Sequence, residues 1–106
     1  VNVPLFTREL AGSPTPEDIQ GLLAERYRGE PFVSVLPAGA PGALEGNFLD
    51  ATALNGTNRI ELMVFGHAEQ ILLVARLDNL GKGASGAAVQ NLNLMIGVDE
   101  TTGLLS

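Results

Sequence analysis

The chain has 106 residues, six basic against twelve acidic side chains for a formal net charge of −6, 45% hydrophobic content, no tryptophan and no cysteine. That length suits one domain, residues 1–106, with a modest core of Leu, Val, Ile and Ala. The acidic balance argues against nucleic acid or an anionic membrane as partner, and the lack of cysteine excludes disulfides, a thiolate nucleophile and cysteine metal sites.

No apolar run approaches the ~20 residues that cross a bilayer, and no basic-then-apolar signal segment opens the chain. A cytoplasmic protein is expected. Val1–Phe6 reads as a strand, with Pro4 placing it toward an edge or an end. Its abrupt start suggests a piece of something longer. After a loop at Ala11–Pro14, Thr15-Pro16-Glu17-Asp18 opens a helix: Thr15 as N-cap, Pro16 at the first helical position, acids in the first turn. Ile19, Leu22, Leu23 and Tyr27 fall on one face, and Gly29 ends it. Phe32–Leu36 reads as a second strand. Pro37–Gly46 is too rich in Pro and Gly for regular structure.

Asn58–Phe65 alternates, with Ile60, Leu62 and Val64 on one face and Glu61, Met63 and Phe65 on the other. Gly66–Glu69 is a hairpin-length connection to a strand at Gln70–Asp78. A polar, glycine-bearing turn follows, then a helix at Ala87–Ile96 stopped by Gly97, and a tail, Val98–Ser106, with weak signals. The order β-α-β-β-β-α implies an α+β fold, one mixed sheet with helices on a face.

The strand-turn-helix junction carries the one suggestive motif. Gly81-Lys82-Gly83-Ala84-Ser85-Gly86 matches G-x-G-x-x-G. The dinucleotide fingerprint also needs a further strand with an acid ~20 residues on, and Asp99 and Glu100 come too early. A P-loop fails as well, since Arg76 stands where its first Gly belongs. What survives is a glycine turn with Lys82 at a helix N-terminus, suited to an anion. On spacing alone, a tight turn with Lys82 solvated outweighs that reading. Gln90, Asn91 and Asn93 sit among apolar residues of the last helix. Gln90, one turn from Gly86, either meets a ligand amide or fixes the loop, and helical spacing favours the structural bond.

His67, the lone histidine, sits in the hairpin turn with no partner for catalysis or metal binding. Glu61 and Arg76 should be diagonal neighbours forming a cross-strand ion pair. No nucleophile and base come together.

The stretch Leu77–Met95 (LDNLGKGASGAAVQNLNLM) resembles N-acetyl-gamma-glutamyl-phosphate reductase, particularly its shorter bacterial form. Val1–Phe6, the helix ending at Tyr27, Pro31-Phe32-Val33 and Leu54–Arg59 share the likeness. The resemblance covers nearly all of this chain but only about the last third of such an enzyme. Aspartate-semialdehyde dehydrogenases carry a looser version, in which an Asn that contacts the nicotinamide aligns with Ala87.

The resemblance implies an α+β catalytic and dimerisation domain like that of glyceraldehyde-phosphate-dehydrogenase-type reductases. The family reduces an acyl phosphate with NADPH through a cysteine thioester, in arginine biosynthesis. Its nucleotide fingerprint, cysteine and catalytic histidine cannot be mapped here, so no catalytic residue is assigned. The resemblance carries over a cofactor-facing set: Asn79, Gly81, Lys82, Gly83, Gly86, Ala87 and Gln90. It also implies NADP in the complete enzyme, a small-molecule substrate, the absent dinucleotide-binding domain as partner, and a homo-oligomer. The chain alone should be inactive. The competing readings are a stand-alone dimerisation or interaction domain without catalysis, and a free-standing anion binder using Gly81–Gly86.

Overall fold

A computed structural model describes residues 1–106. Its elements are β1 (Asn2–Phe6), α1 (Pro16–Arg26), β2 (Val33–Val35), β3 (Leu44–Glu45), β4 (Phe48–Leu49), β5 (Ile60–Gly66), β6 (Gln70–Leu77) and α2 (Gly86–Ile96). Four strands make one mixed sheet in the order β1-β6-β5-β2. β1 and β5 run antiparallel to β6, and β2 runs parallel to β5. β1 and β2 are therefore parallel edge strands, joined by α1 as a crossover.

α1 begins as its sequence dictates. Thr15 Oγ1 accepts from Asp18 N–H at 3.1 Å, and Asp18 Oδ2 accepts from Thr15 N–H at 2.9 Å, a reciprocal capping box. The helix packs against β5 and β2. Its inner face holds Pro16, Ile19, Leu23 and Tyr27, but Leu22 is 66% exposed, contrary to the expected stripe. Leu22 lies at the stripe's margin, and the position turned inward instead is Gln20, whose Nε2 donates to Leu36 C=O at 3.1 Å.

The sheet's main core is on its Met63 face, where Ala40, Met63 and Val74 pack with Leu36, Ala43, Leu49, Phe65 and Leu72. Part of this cover comes from the segment expected to be irregular. Within Pro37–Gly46, Leu44–Glu45 pairs with Phe48–Leu49 as a two-stranded hairpin. Gly46-Asn47 is its two-residue turn, with Gly46 at φ +61°, the backbone such tight hairpins demand.

β5 and β6 differ from expectation in register. Glu61 lies directly opposite Arg76, not diagonal to it, because Gly66 still pairs with Ile71 and the turn occupies the residues between them. A shift of two residues preserves every facing. Glu61 Oε2 accepts from Arg76 Nε at 3.0 Å and Nη2 at 2.6 Å, and Oε1 from Arg59 Nη2 at 3.2 Å. Arg76 Nη1 reaches Asp50 C=O at 3.0 Å, so this nearly buried pair is fully engaged. His67 is exposed in the turn, where its Nδ1 accepts from Glu69 N–H.

α2 packs chiefly on the turn before it, leaving the end of β6 instead of crossing the sheet. Gly97, at φ +77°, closes it.

Candidate functional site

The turn from Asp78 to Gly86 is not an open loop. Gly81–Ser85 forms a π-helical turn continuous with α2: Gly83 N–H bonds Asp78 C=O, Ser85 N–H bonds Leu80 C=O, and Gly86 N–H bonds Gly81 C=O. The N–H groups near Gly86 are thereby consumed. The true helical start lies near Leu80, and Asp78 already serves it. Asp78 Oδ1 accepts from Leu80 N–H at 3.0 Å, and Oδ2 accepts from Gly56 N–H at 2.8 Å. The Gly56 and Leu80 N–H groups hold the Asp78 carboxyl below its ordinary range. The carboxylate at this helix start is thus supplied by the chain itself.

Lys82 is half-buried and tied back to the chain. Its Nζ donates to Gln90 Oε1 at 2.5 Å and sits 5.7 Å from the centroid of the buried Phe32 ring. Gln90 Oε1 also accepts from Asn58 Nδ2 at 3.1 Å, and Gln90 Nε2 donates to Glu100 Oε2 at 2.9 Å. The carboxamide therefore fixes the turn, as helical spacing favoured. Asn93 is buried and ties the tail down through Glu100 C=O at 3.1 Å and Thr102 C=O at 2.9 Å, whereas Asn91 is exposed.

Asn58 is the organising residue that sequence reasoning missed. It is 2% exposed, its N–H donates to Leu105 C=O at 2.7 Å, and its Oδ1 has no hydrogen-bond partner. That oxygen lies against Gly86 Cα, where a Cβ would overlap it and would also sit 2.9 Å from Gly81 C=O. A Cβ on Gly81 would come 2.7 Å from Thr57 C=O. Two of the motif's glycines are thus required by packing inside the chain. The available signals are the Asx-turn pattern of Asp78-Asn79 and the polar Asn55–Arg59 run, whose last two residues the alternation assigns to a strand and whose link to Gly86 and Gln90 no local pattern shows.

Of the remaining set, Asn79 and Gly83 are exposed and Ala87 is half-buried. The outer side of α2 is unusual in composition. Its inward positions are Gly86, Gln90 and Asn93, while Leu92 (51%), Met95 (83%) and Ile96 (63%) face outward. Leu80 and Val98 extend the exposed apolar surface at either end. A soluble helix normally shows the opposite arrangement.

A family model described as "Semialdehyde dehydrogenase, dimerisation domain" matches residues 4–79. The chain is 54% identical, over 98% of its length, to N-acetyl-gamma-glutamyl-phosphate reductase 2 of Nostoc sp., and 52% identical over 98% to N-acetyl-gamma-glutamyl-phosphate reductase of Trichormus variabilis. It is 50% identical over 92% to the protein so named from Brucella ovis. These matches cover 33%, 33% and 31% of the relatives, so the chain spans about a third of the length of the curated relatives it matches.

Proposed function

The chain belongs to the dimerisation-domain family of the semialdehyde dehydrogenases, and from that premise we propose that it serves as this part of an N-acetyl-gamma-glutamyl-phosphate reductase. The carrying observation is its identity of 50–54% with proteins of that name across nearly its whole length. The reaction is reduction of an acyl phosphate, N-acetylglutamyl 5-phosphate, to the semialdehyde in arginine biosynthesis, with NADPH as reductant, in the cytoplasm.

This chain has no cysteine and one turn-borne histidine. Its contribution is positional, and alone it is inactive. The apolar outer side of α2 supports docking to a dinucleotide-binding domain. That domain would bring the cofactor to the adjoining turn, where Asn79, Gly81, Lys82, Gly83, Gly86, Ala87 and Gln90 cluster.

The chemistry of the turn limits which end of the cofactor it suits. The N–H groups of the turn are taken by Asp78 and by carbonyls, so they suit a pyrophosphate poorly. Exposed Asn79 and Gly83 and half-buried Ala87 offer a small, neutral surface, which suits the cofactor's amide end. Bound NADPH supplies the hydride, and Lys82, Gln90 and Asn58 keep this surface rigid. Gly81 and Gly86 act from within, by allowing the close approach of Thr57 and Asn58.

A second reading, a dimerisation or interaction domain without catalysis, is favoured by the same exposed stripe, which suits any apolar partner. The test is NADPH oxidation with the acyl phosphate, by this chain alone and after mixing with the separately expressed dinucleotide domain of a close relative. Activity only on mixing is expected. No activity on mixing, with a complex formed, supports the second reading, and turnover by the chain alone overturns both.

A further inference from the structure

A dimerisation domain needs a surface for a second copy, and the fold rules out the obvious one. In β1 the paired groups are those of odd-numbered residues: Val1 and Ala75 exchange N–H and C=O bonds, and Thr7 N–H reaches Glu69 C=O. Asn2, Pro4 and Phe6 therefore turn their backbone to the free edge, and Pro4 brings no N–H to its centre. The opposite edge, β2, has only three residues. Edge-to-edge continuation of the sheet is blocked on one side and short on the other, so a second copy must meet a face.

The Met63 face carries a cavity of about 680 Å³ between the β3–β4 hairpin and the sheet, with Leu44 and Leu49 on one side and Phe65, Leu72 and Val74 on the other. Arg76 also lines it, but its charge is neutralised by Glu61, so an apolar occupant leaves no unpaired cation. Leu44 and Leu49 are cross-strand partners on the hairpin's inner side. The next pair, Glu45 and Phe48, faces out, and Phe48 is 80% exposed. One short hairpin thus bears an unburied aromatic ring on one side and an unfilled apolar cavity on the other.

We infer that this hairpin is the reciprocal anchor of a homodimer: Phe48 of one copy enters the cavity of the second, which returns the contact. A two-fold interface requires the same patch to supply both the projecting group and its receptor, and this patch does. Aromatic side chains seated in desolvated pockets are also the anchors that dominate interface energetics. The inference rests on dimerisation and not on the reductase chemistry, so its test needs no activity.

The experiment is sedimentation equilibrium of the chain and two variants. Phe48→Ser removes the projecting ring. Ala51→Trp, at an exposed position on the cavity's lining, fills the receptor. Each is expected to weaken the dimer about thirtyfold or more, the effect of losing an interface anchor, with an unchanged far-UV circular dichroism spectrum. An equal mixture of the two variants should associate more tightly than either alone. The heterodimer restores one contact, since the Ala51→Trp variant keeps Phe48 and the Phe48→Ser variant keeps the open cavity. A monomeric parent chain, a Phe48→Ser dimer as tight as the parent, or a mixture no tighter than its components would overturn the inference. So would a dimer lost on Leu92→Glu but not on Phe48→Ser, which places the second copy on α2.

Discussion

Gly86→Ala inverts an ordinary rule of helix stability. Gly86 has φ −64° and ψ −42°, right-handed helical values that alanine adopts freely. In an open helix the substitution would stabilise by about 1 kcal/mol. Here the new methyl overlaps Asn58 Oδ1 and sits 2.9 Å from Gly81 C=O. Asn58 cannot swing into solvent, being 2% exposed, and its displacement loses the 3.1 Å bond to Gln90.

Overpacking of this kind costs about 1–3 kcal/mol, and the lost hydrogen bond about 0.5–1.5 kcal/mol. Set against the propensity gain, the net is a destabilisation of about 0.5–3.5 kcal/mol. Urea unfolding at fixed chain concentration, followed by far-UV circular dichroism, measures it. In an Asn58→Ala background the cost of Gly86→Ala should shrink by about 1 kcal/mol or more, since only the Gly81 carbonyl still opposes the methyl. A neutral or stabilising Gly86→Ala, or equal costs in both backgrounds, would refute the packing argument.

Glu61→Gln leaves the Arg76 guanidinium, on a side chain 9% exposed, without its counter-charge and should cost about 3–5 kcal/mol in the same assay. Acid stability follows from four aspartates. Asp18, Asp50, Asp78 and Asp99 are held below the ordinary 3.8 by hydrogen bonds, chiefly from Thr15 N–H, the Thr52 hydroxyl, Gly56 N–H and the Thr101 hydroxyl respectively. Their folded forms bind protons more weakly than the unfolded chain, so the stabilisation is complete above pH 3.8 and is lost as pH falls through the folded values. The urea midpoint should drop on acidification below about pH 4, and Asp78→Asn should flatten that drop. Leu92→Glu with Met95→Glu should reduce binding of an apolar dye without lowering the urea midpoint, because both side chains are already exposed. A lower midpoint would show that α2 packs its outer side within the chain.

Local signals carry the elements. The Thr15 capping sequence, the alternation at Ile60–Phe65 and the Gly97 stop act over a few residues and are legible in the sequence alone. The hairpin at Leu44–Leu49 is legible only in part. Gly46-Asn47 is a turn signal, but two-residue strands are too short to register as a period. The site is harder, because its logic lies between distant positions. The glycines at 81 and 86 look like a ligand cradle in sequence, yet their neighbours are Thr57 and Asn58, far upstream in the chain. Lys82 and Gln90 are eight residues apart, whereas Asn58 joins them from another strand's approach and Glu100 from the tail. The apolar outer side of α2 is visible as composition, but its direction depends on which face the turn holds inward.

The most direct test of the reductase account is a chimera in which this chain replaces the matching third of the Nostoc relative, assayed for NADPH-dependent reduction of the acyl phosphate. The account predicts turnover within about tenfold of the parent enzyme, a barrier change of no more than about 1.4 kcal/mol. A folded chimera that binds NADPH through its own dinucleotide domain yet shows no turnover would contradict it.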